Sequence, residues 1–172
     1  MRSTHLLTIK AQERPGLLHL ITGVFNRKLV PIISLNAAQT DIHDIVLITI
    51  EAILGEDEVT KIAYKLENIV EVYAVEVNSY QEDMCLRAAW FKLDRVILET
   101  SKIAMLQKYN AVIVQWYPNA FLLAKYGTAK SIREFYNQLD GPHLLGFSQT
   151  GLITDSKLIG EDQSSVINRL AA

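Results

Sequence analysis

One cysteine in 172 residues leaves no partner for an internal disulfide, so cross-links within the chain are excluded as a source of stability. A reduced, cytoplasmic setting is the simple expectation. Cys85 falls in an apolar strand pattern and is expected to be a buried structural thiol. Charge of one sign is equally scarce. The net charge is −2, without the basic excess of a nucleic-acid-binding chain. No apolar run approaches the ~18 residues that a membrane span needs. The sequence enters a strand-like pattern at its start, and no signal peptide is expected.

Motifs for chemistry are also missing. His5, His19, His43 and His143 are not paired with cysteine, and none has metal-ligand spacing on a helix. There is no Gly-x-Ser-x-Gly elbow. Glu56-Asp57-Glu58 reads as the acidic first turn of a helix, placed to meet its dipole, rather than as an acid and base pair. The Gly-aromatic strand of an RNA-recognition sheet is absent. Trp90, Phe91, Trp116 and Tyr117 are therefore expected to pack in a core or an interface.

What the chain has is apolar content, 49%, enough for packed cores and set out in a repeated order. Residues 4–11 alternate as a strand. Leu17, Ile21, Val24 and Phe25 then lie on one face of a helix over 16–28. Pro31 cannot continue that helix. Strands follow at Ile32–Gln39 and Ile45–Ile50, joined by a polar turn at Asp41–Asp44. A helix opens at Gly55 and buries Val59, Ile62, Ala63 and Leu66. A strand over Val70–Val77 closes the first β-α-β-β-α-β set.

The second set runs as a strand over Asp83–Phe91, a helix over Leu93–Tyr109 with Val96, Thr100 and Ile103 on one face, and strands over Ala111–Tyr117 and Phe121–Tyr126 around the Pro118-Asn119 turn. A helix over Thr128–Leu139 carries Ile132, Phe135, Tyr136 and Leu139, and Asp140-Gly141-Pro142 stops it. His143–Gly151 is a last extended segment. The expected architecture is α+β: two ferredoxin-like βαββαβ domains over residues 1–79 and 80–154, with a loosely held tail at 155–172. Ile45–Ile50 is apolar on both faces except at Thr49. A half-wet strand would alternate, so the second sheet face is expected to be covered by association.

The most informative stretch is Gln12-Glu13-Arg14-Pro15-Gly16-Leu17-Leu18. A strand ends there and a tight Pro-Gly loop turns directly into a helix. Gly16 lets a ligand or a backbone come close. The N–H groups of Gly16, Leu17 and Leu18 lie in the first helical turn, where they suit a small carboxylate. Read from the residues alone, the loop is either such a cradle or a plain strand-to-helix turn.

Arg14-Pro15-Gly16-Leu17-Leu18, its spacing to Phe25, and Ile32-Ile33-Ser34-Leu35-Asn36 resemble an ACT domain. They are most similar to the small regulatory subunits of acetohydroxyacid (acetolactate) synthase. The 128–139 helix followed by Gly146-Phe147-Ser148-Gln149-Thr150-Gly151 stands where that family has a helix and an Arg-Thr/Ser-Gly segment. The resemblance implies that the first domain is an ACT domain and the second the family's C-terminal domain. It implies a non-catalytic partner of the thiamine-diphosphate-dependent catalytic large subunit in branched-chain amino-acid biosynthesis. That partner would carry the thiamine diphosphate, magnesium and FAD; no cofactor and no metal is expected in this chain. The resemblance also implies a homodimer through the ACT domain, with valine or a related small amino-acid effector at its interface. Carried over residue by residue, the effector site is Glu13, Arg14, Pro15, Gly16, Leu17 and Leu18 with Pro31, Ile32 and Ile33. Pro31 stands where the family usually has Asn, Glu13 where a loop Asn is common, and Gln149 where it has Arg. These departures bear on valine more than on subunit pairing. The alternative is a stand-alone ACT-type amino-acid sensor acting on another protein.

Overall fold

The computed structural model describes residues 1–83, 85–99, 106 and 108–153. The chain divides into two compact units, the first ending at Tyr80 and the second beginning at Gln81. The tail at 155–172 and the expected helical positions Thr100 and Ile103 lie outside the described residues.

In the first unit β1 (Arg2–Gln12), α1 (Leu17–Asn26), β2 (Ile32–Gln39), β3 (Ile45–Gly55), α2 (Glu56–Glu67) and β4 (Val72–Ser79) follow in order. The strands form one antiparallel sheet in the order β2-β3-β1-β4, which is the ferredoxin-like arrangement. Leu17, Ile21, Val24 and Phe25 form the buried stripe of α1. They pack with Val59, Ile62 and Leu66 of α2 against Leu7, Ile9, Ile48 and Ile50 of the central strands. Deleting one of these aliphatic side chains would cost about 2–5 kcal/mol, through lost burial and the cavity left behind. Gly55 caps α2, and its N–H donates to Glu58 Oε2 at 2.9 Å. The Arg2 guanidinium, which donates to Glu58 Oε1 at 2.7 Å, together with that backbone N–H holds the Glu58 carboxyl below the usual carboxylate range.

Two expectations change here. β3 runs five residues past Ile50, through Glu51, to Gly55. Glu51 is buried and accepts from Ser34 Oγ at 2.8 Å, so a charge that reads as a strand end sits inside the sheet with a partner. The sheet face away from the helices is mixed. Leu6, Ile45 and Leu47 share it with Thr8, Lys10, Thr49 and Glu51, and all but the half-buried Leu47 are buried. The last strand of this unit starts at Val72, because Val70 lies in a turn and is 91% exposed.

The second unit repeats the plan. β5 (Leu86–Asp94), β6 (Val112–Trp116), β7 (Ala120–Thr128), α3 (Ala129–Leu139) and β8 (Leu144–Gln149) give a sheet of order β6-β7-β5-β8. Thr128 caps α3, its hydroxyl accepting from the Ser131 N–H at 3.1 Å. Phe91, Phe121, Phe135, Ile132 and Leu139 make the core, with Phe91 edge-on to Phe135 at 5.0 Å. The expected helix over Leu93–Tyr109 does not begin at Leu93. Leu93 and Asp94 still belong to β5, and Leu93 is fully buried beside Phe121 in the ladder. A 3₁₀ turn over Arg95–Glu99 follows. Cys85 is buried just ahead of β5.

Lys125 on β7 is only 4% exposed. Its ammonium donates to the Tyr109 carbonyl at 2.7 Å and faces the rings of Tyr109 and Phe135 at 5.4 and 5.8 Å. The carbonyl and the ring faces replace part of its lost hydration. Burial still pushes its pKa below the ordinary 10.5.

Candidate functional site

The loop between β1 and α1 is pinned at its entrance. Gln12 N–H donates to the Glu71 carbonyl and Glu13 N–H to the Asp44 carbonyl, both at 2.8 Å. The chain then turns at Gly16, whose φ of 89° lies in the left-handed region that favours glycine. α1 begins without a side-chain cap. Leu17 N–H is satisfied inside the turn by the Arg14 carbonyl at 3.1 Å, which removes it from the three donors expected of this loop. The N–H groups of Gly16 and Leu18 remain in the first turn, beside the positive end of the helix dipole.

A cleft of about 270 Å³ opens against this turn, close to the lower bound of small-molecule sites. Glu13, Arg14, Gly16, Leu17, Leu18 and His19 line one side, with Ala37 and Gln39 of β2 and Val46 and Ile48 of β3 on the other. Gln39 Nε2 donates to Glu13 Oε2 at 3.1 Å, which steadies the carboxylate. One recess is thus lined by an acidic residue, a basic residue, the first turn of a helix and branched apolar residues. A zwitterion with an aliphatic side chain requires groups of these kinds.

Of the nine residues proposed from sequence, Glu13, Arg14, Gly16, Leu17 and Leu18 come together here, while Pro15 sits in the loop without lining the cleft. Pro31, Ile32 and Ile33 stand elsewhere. Ile32 pairs with Ala52, which also pairs with His5, whereas the loop follows Gln12 at the Ile45 end of the sheet. Within one protomer the two groups are at opposite ends of β1, about 20 Å apart at strand rise. Ala37, Gln39, Val46 and Ile48 were not proposed. Strand register brings them to the loop, and no local motif marks them.

The histidines do not gather. His5 is buried, with Nδ1 3.1 Å from the Ser3 carbonyl, and His19 is exposed on α1. Among the described residues no group of three or more His, Cys, Asp or Glu could hold a metal, and no helix is long and apolar enough to cross a membrane.

Over 154 residues the chain is 26% identical to the acetolactate synthase small subunit of Haemophilus influenzae, covering 88% of this chain and 94% of that one. The crystal structure of the acetolactate synthase small subunit from Thermotoga maritima superposes with a TM-score of 0.79 at 16% identity, covering 88% of this chain and 96% of that chain. This chain is similar to acetolactate synthase small subunits. No protein-family model matches it. The Thermotoga likeness speaks for the fold: two ferredoxin-like units of the ACT type, both present in one chain of the same extent. The Haemophilus likeness runs across both units.

Proposed function

We propose that the chain is a non-catalytic regulatory subunit of acetohydroxyacid (acetolactate) synthase, acting in the cytoplasm on a catalytic chain that carries the thiamine diphosphate, magnesium and FAD. The cleft at the start of α1 carries this reading. Its N–H donors and Arg14 suit the carboxylate of a free amino acid, Glu13 suits the ammonium, and Val46, Ile48 and Ala37 suit a short branched side chain. Valine and its aliphatic relatives fit that description.

The separation of Pro31–Ile33 from the loop is consistent with a site completed by two copies. β2 is an edge strand. Antiparallel pairing of β2 with its counterpart sets the Ile32 end of one copy beside the Gln39 end of the other, and so against the other copy's cleft. An effector bridging the two copies would favour one arrangement of the pair and, through it, one state of the catalytic chain.

The test mixes this chain with the catalytic subunit and follows pyruvate condensation with and without valine, leucine and isoleucine. Gly16→Asp sets a carboxylate where the effector's own would lie. It is expected to abolish the amino-acid response and to preserve activation of the synthase. An unchanged response would refute the loop assignment. Pro31 at a position where the related subunits usually have Asn keeps a second reading open, an ACT-type sensor for another target; co-purification without a thiamine-dependent enzyme would favour it.

A further inference from the structure

We infer that Leu29 of one copy of this chain caps the effector cleft of a second copy, over the apolar part of the ligand. This rests on the amino-acid cleft and the edge pairing proposed above. α1 ends in a doubly hydrogen-bonded turn. Val30 N–H donates to the Phe25 carbonyl at 3.1 Å, and Leu29 N–H to the Asn26 carbonyl at 3.0 Å. That closure puts Leu29 in the left-handed position, with φ 55°, where glycine or asparagine is usual. The other described non-glycine residues with positive φ are Asp44 and Asn110, of types that tolerate it. The turn does not need a leucine there. Val30 supplies its buried apolar contact, in the same core as Phe25, while Leu29 is 91% exposed. A bulky apolar side chain that is both strained and left in water suits a role outside its own chain.

Leu29 does not serve its own cleft. α1 starts at the cleft and leads away to Leu29, and its ten residues rise about 15 Å. A second copy brings the two together. The cleft opens on the helix side of the sheet, since Val46 and Ile48 pack in the core with α1, and Gln39 and Ala37 are their cross-strand partners. Antiparallel pairing of β2 with its counterpart follows from a two-fold axis normal to the sheet, so both helix layers stay on one side. The Ile32 end of one copy then lies beside the Gln39 end of the other. Leu29 precedes Ile32 by three residues, a reach of at most ~10 Å. The end of one α1 thus stands beside the start of the other. Pro31 fixes φ two residues on, so the turn presents Leu29 on a stiff support. The loop keeps the polar groups of the cleft, Glu13 and Arg14, and Ala37, Val46 and Ile48 lie below a ligand side chain. A leucine from above removes the methyl groups of that side chain from water on its remaining side.

The test titrates full-length variants with valine, leucine and isoleucine by calorimetry. Leu29→Gly and Leu29→Asn both suit a positive φ, so neither is expected to cost folding, which circular dichroism checks. Each is expected to weaken binding at least ten-fold, and Leu29→Met, apolar and of similar reach, to stay within three-fold of wild type. A merely structural role at position 29 predicts the opposite order, because methionine is the variant that keeps the strain; that order overturns the inference. A mixed dimer shows which copy supplies the cap. Leu29→Gly and Gly16→Asp chains with different tags are co-expressed, and the mixed dimer is isolated through both tags. One of its two sites joins an intact Gly16 to an intact Leu29 from the other chain. Wild-type affinity for valine is therefore expected at half the wild-type number of sites. A mixed dimer without such a site, or wild-type binding that Leu29→Gly leaves unchanged, overturns the inference and leaves the cleft standing. A wild-type chain that binds none of the three amino acids refutes the cleft itself, and a monomer mass by light scattering refutes the edge pairing; either takes the inference with it.

Discussion

Replacing Gly16 by alanine separates what the backbone needs from what a ligand needs. The φ of 89° costs an L-residue about 1–2 kcal/mol. An added Cβ would meet nothing within 4 Å, so no clash adds to that strain. Alanine also narrows the unfolded ensemble, which returns about 0.4–1 kcal/mol. The net loss is roughly 0.5–1 kcal/mol. For a unit of this size it lowers Tm by about 2–8 °C, read by calorimetry or urea unfolding. Asparagine tolerates the left-handed region better, so Gly16→Asn is expected to lose less stability than Gly16→Ala. Binding should follow the opposite order. Both side chains enter a cleft that Gly16 lines, and the larger asparagine blocks more of it. Calorimetric titration with valine, leucine and isoleucine is expected to show at least a ten-fold loss of affinity for Gly16→Asn, equivalent to ~1.4 kcal/mol, in the variant with the smaller stability loss. Affinity that merely tracks stability, or that both variants leave unchanged, would refute a role for Gly16 in close approach.

Other expectations concern the scaffold. Leu29 has a φ of 55° and is 91% exposed, so Leu29→Gly relieves strain without losing packing and should raise stability by about 0.5–1 kcal/mol in urea; a loss would show that the side chain packs in solution. Among the described residues the buried Thr8 hydroxyl has no hydrogen-bond partner, and Thr8→Val, of the same shape, should stabilise by ~1 kcal/mol, whereas a loss of similar size would reveal a bridging water. Lys125 titrates below 10.5 in the folded chain, so between its folded and unfolded pKa values the unfolded chain holds a proton that the folded chain has released, and stability rises with pH. The stability of the wild type minus that of Lys125→Met is therefore expected to rise from neutral pH toward 10.5; a difference that stays flat or falls as pH rises would refute the burial cost.

Local pattern was enough where one physical rule acted alone. The α1 stripe is legible because four apolar residues at helical spacing have one way to be buried together. Ile32–Gln39 is legible because Pro31 on one side and a polar turn on the other leave a strand of that length. Local pattern misled where a tertiary partner changed the value of a residue. Glu51 reads as the end of a strand until Ser34, seventeen residues earlier in the chain, donates to it. Leu93 reads as the first residue of a helix until the ladder with β7 places it opposite Phe121 in the core.

The candidate site divides along the same line, and the division explains its form. A Pro-Gly loop entering a helix is a local device, so Glu13 to Leu18 could be read from the chain. The apolar floor is not local. Ala37 and Ile48 are cross-strand partners, as are Gln39 and Val46, and they meet α1 only because the sheet order places β3 between β1 and β2. On the proposed reading the loop would supply charge and N–H donors for what all amino acids share, and the register would supply the floor that distinguishes one side chain from another. Changes of effector preference should therefore map to positions 37, 46 and 48, and loss of all response to Glu13 or Gly16. A panel of Ala37→Val, Val46→Ala and Ile48→Val is expected to reorder the affinities for valine, leucine and isoleucine while keeping binding measurable. A panel that weakened all three equally would place recognition of the side chain outside this cleft.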